Sequence, residues 1–291
     1  MNAIRLPSYA KINLGLLIKG KRSDGYHEIE SLLLQIDLLD EIELKSQANP
    51  EIVVRCNNPV VPTDENNLCV RAANLIKKTS GISKGLEINL TKNIPMGAGL
   101  GGGSSNAATT LMGLNKLWNL DFTPEFLQKL AAQLGADVPF FIHGGAAVAR
   151  GRGELLSTIN FNLEWPILII FPEIHVSTQQ AYAGLNLSLT MKKKNIKLPH
   201  FKDSKFNNVD FYKVFINEFE RAVFKNYPIL AEIKRSIYRK NPVFTSMSGS
   251  GSSIFGIFHN LEDAFEAKAE FDRKFPTFIT HSILWGYNQI V

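Results

Sequence analysis

Apolar residues near the start of the chain recur in steps of two. In YAKINLGLLIKG (9–20), Ile12, Leu14, Leu16 and Ile18 share one side, the pattern of a half-buried strand, with polar Ser8, Tyr9, Lys11 and Asn13 gathered at its beginning. DEIELKS (40–46) and EIVVRC (51–56) read as further strands with turn residues between them. The period then lengthens. In NNLCVRAANLIKKTSG (66–81), Leu68, Ala72, Leu75 and Ile76 share a helical face and Gly81 offers a stop. GLEINLTKNIP (85–95) reads as a strand, and SSNAATTLMGLNKLW (104–118) as a helix with Ser104 or Ser105 as N-cap. TPEFLQKLAAQLG (123–135) is a helix with Thr123 as cap, Pro124 at the first helical position and Gly135 at the stop. Further on come a buried strand in WPILIIFP (165–172), helices near 209–225 and 228–239, a strand pair in VFTSMSGSGSSIFGIF (243–258), and a helix in LEDAFEAKAEFDRKF (261–275). Strands and helices mix without regular βαβ alternation, which predicts an α+β fold. A divide near 150–165 suggests two lobes, residues 1–155 and 156–291.

Composition changes this picture little. The 291 residues, 45% hydrophobic and 20% charged, suit an ordinary globular chain with a sizeable core. Arg5 and Pro7 interrupt the start before any apolar run develops, which argues against a signal peptide. The most apolar later run is far shorter than the roughly 20 residues that cross a bilayer. A cytoplasmic protein without a membrane partner is expected. Cys56 and Cys69 are too far apart for a CxxC pair, and the six histidines show no ligand spacing, so no structural metal site is expected. The net charge of +5 is compatible with anionic substrates. The basic run MKKKNIKLPHFKDSK (191–205) reads as a solvated loop. No RNA-binding pattern accompanies it, so no nucleic-acid partner is expected. The oligomeric state is open.

The chemistry concentrates in NIPMGAGLGGGSSNAA (93–108), where Gly97, Gly99, Gly101, Gly102 and Gly103 fall within seven residues and run into a helix start. Glycines let backbone N–H groups approach a ligand closely, and a helix N-terminus adds free N–H groups and a positive dipole end. Together they make a phosphate cradle. A P-loop is excluded because no lysine follows its second glycine. A dinucleotide-binding GxGxxG is present literally (Gly97, Gly99, Gly102), but Asp121, at about the right distance, lies between two helices rather than after a strand. A protein-kinase loop would need HRD and DFG motifs, which are missing.

The loop PMGAGLGGGSSNAA resembles the phosphate-binding loop of the GHMP small-molecule kinases. The glycines doubled before Ser-Ser, with DGYHEI (24–29), ENNLCVRAANLI (65–76), LGADVPF (134–140) and SMSGSGSSIFGIF (246–258), are similar to the subfamily that phosphorylates a cytidine-diphosphate alcohol in isoprenoid precursor synthesis. The resemblance runs from about residue 7 to 258. It implies a two-lobed fold with the site in the cleft, ATP and Mg²⁺ as cofactors, and a small-molecule acceptor. It places Pro95, Met96, Gly97, Ala98, Gly99, Leu100, Gly101, Gly102, Gly103, Ser104 and Ser105 on ATP, with Asn67 on the adenine side. By itself Asp137 reads as a turn or capping aspartate, and Lys11 as part of a solvated strand face. The resemblance makes them a catalytic pair, Asp137 as base or orienting group and Lys11 as its cation. It also puts Asn13 on the substrate, His27 in a hydrogen bond to the cytosine, and Tyr26 and Tyr182 as the walls that stack on it. Where the subfamily commonly has phenylalanine, this chain has Tyr182. Gly249 and Gly251 read as a tight turn with a supporting role.

Overall fold

The computed structural model describes residues 2–185 and 215–289, so the basic run 191–205 and the start of the helix expected near 209 lie outside the described residues. Its spine is an antiparallel ribbon of β1 (Ala3–Lys21) and β2 (His27–Gln47). The two strands join through the SDG turn, where Asp24 Oδ1 accepts the Tyr26 N–H at 3.1 Å, the short side chain standing in for a backbone turn. The expected half-buried strand over 9–20 is corrected. Residues 10–18 are buried on both faces. Register shifts at Tyr9/Ala10 and Asn13/Gly15 re-aim the side chains, so Ile12 and Leu14 enter one apolar cluster and Leu16 and Ile18 another.

Two shorter strands share the other edge of β2. β4 (Gly85–Thr91) pairs with residues 41–47 and β5 (Ala146–Gly151) with residues 29–34. β3 (Ile52–Cys56) lies parallel to β4, with α1 (Leu68–Ser80) as the crossover, and β6 (Leu155–Ile159) pairs with β5. A second, antiparallel sheet has the order β10-β7-β9-β8, from β7 (Ile167–Ile170), β8 (Phe244–Met247), β9 (Ile254–Ile257) and β10 (Thr277–Thr280).

Side-chain alternation sets the layers. Leu33, Ile42 and Leu44 point from the first sheet to α1, α2 (Gly102–Leu117), α3 (Pro124–Leu134) and α4 (Val138–His143). Leu32, Leu34 and Ile36 point the other way and meet Ile167, Ile169, Phe255 and Ile257 of the second sheet. Leu168, Ile170 and Ile254 face the outer helices α6 (Phe219–Asn226), α7 (Pro228–Tyr238) and α8 (Leu261–Phe271), numbered after the short α5 (Thr178–Ala183). The order is helices, sheet, sheet, helices, the α+β architecture expected. Each fully buried leucine or isoleucine contributes about 1.5–3 kcal/mol. Among the described residues no helix is long and apolar enough to cross a membrane.

Between its two partners, residues 35–40 of β2 have no strand alongside. The chain's last segment fills that gap. The Gln35 N–H donates to Gly145 O, Gln35 O accepts from the Ile283 N–H, and the Asp37 N–H donates to His281 O. The buried Gln35 side chain closes the corner, its Oε1 accepting Gly145 N–H at 2.9 Å and Trp285 N–H at 3.1 Å. Gln35→Ala leaves both amides without this acceptor. It is expected to cost about 2–3 kcal/mol, from the price of orphaned buried donors, read as a lower urea midpoint.

Candidate active site

The glycine loop leaves β4 and is held from two directions. From the first sheet, the Lys11 N–H donates to Leu100 O. From the β8–β9 hairpin, Ser248 Oγ donates to Gly99 O at 2.9 Å and the Ser253 N–H to Ala98 O. Gly99 has φ of +76°, and a Cβ there would stand 2.1 Å from Ser248 O, so this position requires glycine for both backbone and space. The buried side chains of Ala98 and Leu100 join the inter-sheet core, leaving their backbone to face a ligand.

The expected serine N-cap is corrected. Helix α2 starts at Gly102, with Gly101 as N-cap at φ of +71° and no side-chain capping bond. A serine cap is ruled out because the turn before the helix needs the left-handed region, which glycine reaches without strain. Gly102, Gly103 and Ser104 therefore hold their N–H groups outside the intrahelical ladder, at the positive end of the dipole. Ser105 lies one residue deeper, buried, with its hydroxyl 2.9 Å from that of Ser8.

Two cavities meet at this loop. Gly97, Gly99, Gly101 and Ser104 line both. The smaller, about 390 Å³, is also lined by Asn67, Leu68, Pro95 and Met96. Asn67 caps α1, its Oδ1 accepting the Cys69 N–H at 2.8 Å and its Nδ2 donating to Pro62 O. The larger, about 1020 Å³, receives Lys11, Asn13, Tyr26, His27, Asp137 and Tyr182.

Lys11 is only 4% exposed, so the solvated-face reading does not hold. Its Nζ donates to Asn13 Oδ1 at 2.6 Å and lies 3.6 Å from Asp137 Oδ2. Asn13 is fixed in turn, its Nδ2 donating to Ser31 Oγ at 2.7 Å, while Ser31 donates to Gly15 O. Asp137 sits before α4 with no side-chain capping bond, so its carboxylate is not spent on the helix. It is 41% exposed and turned to the cavity. The site thus pairs a rigid, buried ammonium with a half-exposed carboxylate beside a helix N-terminus.

The aromatic residues are arranged differently from the expected pair of walls. Tyr182 stacks on His27, with ring centroids 4.5 Å apart and planes 11° from parallel, while Tyr26 is 56% exposed beneath the Arg152 guanidinium. Burial first, and then the Asp137 charge, raise the Tyr182 phenol above its usual range. Burial first, and then the Lys21 charge, hold His27 below the ordinary histidine range. Sequence reasoning missed Arg152, which also lines the larger cavity, and Asn217, whose Nδ2 donates to Met247 O and Gly249 O and so holds the hairpin against the loop. The basic residue inside ARGRGELL was a signal for the first; an asparagine 30 residues from its partner left none for the second.

The descriptions "GHMP kinases N terminal domain" and "GHMP kinases C terminal" match residues 67–145 and 206–277. The chain is 42% identical over 265 residues to the 4-diphosphocytidyl-2-C-methyl-D-erythritol kinase of Prosthecochloris aestuarii, covering 91% of this chain and 92% of that one. It is 43% identical to the enzyme of that name from Alkaliphilus metalliredigens, covering 89% of each. A solved 4-(cytidine 5'-diphospho)-2C-methyl-D-erythritol kinase superposes with a TM-score of 0.78 at 30% identity, over 96% of this chain and 99% of that one. The homoserine kinase of Cytophaga hutchinsonii shares the fold, with a TM-score of 0.79 at 20% identity, over 98% and 95% of the two chains.

Gly99→Ala forces the loop and hairpin apart. It is expected to lower stability by about 1–3 kcal/mol, the usual scale of such strain, seen as a lower melting temperature.

Proposed function

The chain belongs to the GHMP kinases, and within them to the 4-diphosphocytidyl-2-C-methyl-D-erythritol kinases, and from that premise we propose how its residues divide the work of phosphorylating the acceptor's 2-hydroxyl with ATP. It is a small-molecule kinase of the non-mevalonate route to isoprenoid precursors. The smaller cavity takes the nucleotide, with Asn67 on the adenine side, and the larger takes the cytidine-diphosphate alcohol. Their shared wall, the glycine loop, is where the phosphoryl group crosses. Residues 1–155 supply the loop and the Lys11–Asp137 pair, and residues 156–291 supply Tyr182 and the hairpin behind the loop. Cytoplasmic action fits a soluble acceptor of this kind.

The observation that carries this reading is the convergence of Lys11, Asn13 and Asp137 on an uncapped helix N-terminus. Phosphoryl transfer needs position and compensated charge more than covalent chemistry. The N–H groups of the loop and first helical turn hold the phosphates. Asp137 accepts or orients the proton of the attacking hydroxyl. Lys11, locked by Asn13, presents a cation where negative charge develops, and it needs no reorganisation to do so.

Among the described residues no cluster of three or more His, Cys, Asp or Glu could cage a metal. A nucleotide-borne Mg²⁺ asks for only one or two protein oxygens, and the Asp137 carboxylate and Ser104 hydroxyl, both on the larger cavity, suit it. When bound, the ion neutralises charge on the terminal phosphates.

In the acceptor cavity, His27 meets the cytosine edge and the exposed Tyr26 ring offers an aromatic face, while Tyr182 backs the imidazole it stacks on. Stacking of this kind is worth about 1–3 kcal/mol per base.

The primary test is coupled ADP release with MgATP and a panel of the diphosphocytidyl methylerythritol, mevalonate, homoserine and galactose. Release is expected with the first alone; release with another acceptor discards the nucleobase pocket. Asp137→Asn should lower kcat by at least about 100-fold, the scale of general-base catalysis, with ADP affinity retained. Unchanged turnover would remove Asp137 from the chemistry.

His27 supplies a pH signature. Its depressed pKa keeps the imidazole neutral at neutral pH, with one donor and one acceptor, and protonation takes the acceptor away. The acceptor KM should therefore be flat at neutral pH and above and rise only as the pH falls below the ordinary histidine range, whereas His27→Ala shows a raised KM without that pH dependence. An acceptor KM that follows the same pH curve in both proteins places the titration elsewhere.

A further inference from the structure

A buried polar chain that none of these roles uses runs beneath the glycine loop. Asp40, fully buried in β2, stands at its centre. Its Oδ1 accepts the N–H groups of Asn93 and Ile94 at 2.7 and 2.8 Å, the two residues that lead into the loop. Its Oδ2 accepts Asn106 Nδ2 at 2.9 Å, in the second turn of α2, and pairs with the Lys92 ammonium. Lys92, itself 6% exposed, also donates to Asn106 Oδ1 at 3.2 Å. Asn106 Nδ2 reaches Ser8 Oγ in β1, which bonds the Ser105 hydroxyl. One carboxylate thus joins β2, the approach to the loop and the helix that follows it.

We propose that Asp40 is a positioning residue for the nucleotide: it fixes both ends of the glycine loop, and the Lys92–Asp40 pair sets the height of the α2 N-terminus against the phosphates. Two features favour this over a purely structural role. Among the described residues, every side-chain hydrogen bond of Asp40 goes to residues 92–94 or 106, on either side of the loop. The Lys92 ammonium also lies under the first helical residue, 3.1 Å from where a Cβ on Gly102 would stand. A cation at that end of a helix opposes the dipole unless an anion neutralises it. Asp40 supplies the anion that removes this repulsion, so the first turn of α2 can stay packed on the pair. The proposal rests on the reading that this loop holds the ATP phosphates.

The test compares Asp40→Asn, the charge-neutral double variant Asp40→Asn/Lys92→Met and Ser8→Ala with the unaltered enzyme. Calorimetric ADP binding, KM for ATP, KM for the acceptor and melting temperature are measured for each. In Asp40→Asn, ADP affinity should fall and the KM for ATP rise together by about tenfold or more, the effect of 1.4 kcal/mol, with the acceptor KM within about twofold. In the double variant the buried unpaired ammonium is gone, so the melting temperature should recover while nucleotide affinity stays low. A structural role would restore both together. ADP affinity unchanged in either folded Asp40 variant, or equal rises in the two KM values, overturns the proposal. Should neither Asp40 variant fold, Ser8→Ala decides it by the same split between ATP and acceptor. Failure of the unaltered enzyme to bind ADP would overturn the phosphate-loop reading itself. Normal binding there with unchanged binding in the variants overturns only the role of Asp40.

Discussion

A buried strand must satisfy the hydrogen-bonding groups on both of its edges, and β2 is 21 residues long. β1 matches it along one edge. On the other edge, β5 covers residues 29–34 and β4 covers residues 41–47, and the interval between them has to be closed by other means. The backbone of residues 145, 281 and 283 closes its first half, and Asn93 Nδ2 reaches Leu39 O at its far end. The gap between β5 and β4 thus draws in residues 281–285 and the β4–α2 connection, which leads on into the glycine loop.

The glycine loop inherits its precision from that arrangement. Five glycines in seven residues would give a floppy segment in isolation. Here its carbonyls at 98, 99 and 100 are each taken by a donor from β1 or from the β8–β9 hairpin, so the flexible sequence is held rigid by its neighbours. What the glycines supply is closeness, which lets another backbone pack within van der Waals contact and turns N–H groups outward. Lys11 follows the same logic. It sits in a strand buried on both faces, and its ammonium is tolerable there because Asn13 and Asp137 meet it.

The α+β class, most elements and the glycine loop running into a helix start are legible in the sequence because they depend on local periodicity and on residue types with few alternative uses. Helix α1 follows from its apolar face and the Gly81 stop, while the Asn67 cap emerges only in the structure. The cap of α2 differs from the expected one for a physical reason: Ser104 and Ser105 are good capping residues by type, but the chain turns earlier, at the left-handed Gly101. The burial of Lys11 is hidden from periodicity, which cannot see that the glycine loop and α4 cover the polar side of β1 while the second sheet covers its apolar side. The stacking of Tyr182 on His27 joins residues far apart in sequence, and no local pattern encodes it.

The clasp between Gln35 and Trp285 spans 250 residues of sequence. On a ribosome adding about 5–20 residues per second, the middle of β2 emerges roughly 12–50 s before the segment that covers it. For that interval the nascent chain carries an open strand edge flanked by leucines and isoleucines, a surface from which mispairing starts. Until residues 281–285 are made, that edge is open to pairing with another chain, so a pause in synthesis before this segment lengthens the time at risk of aggregation.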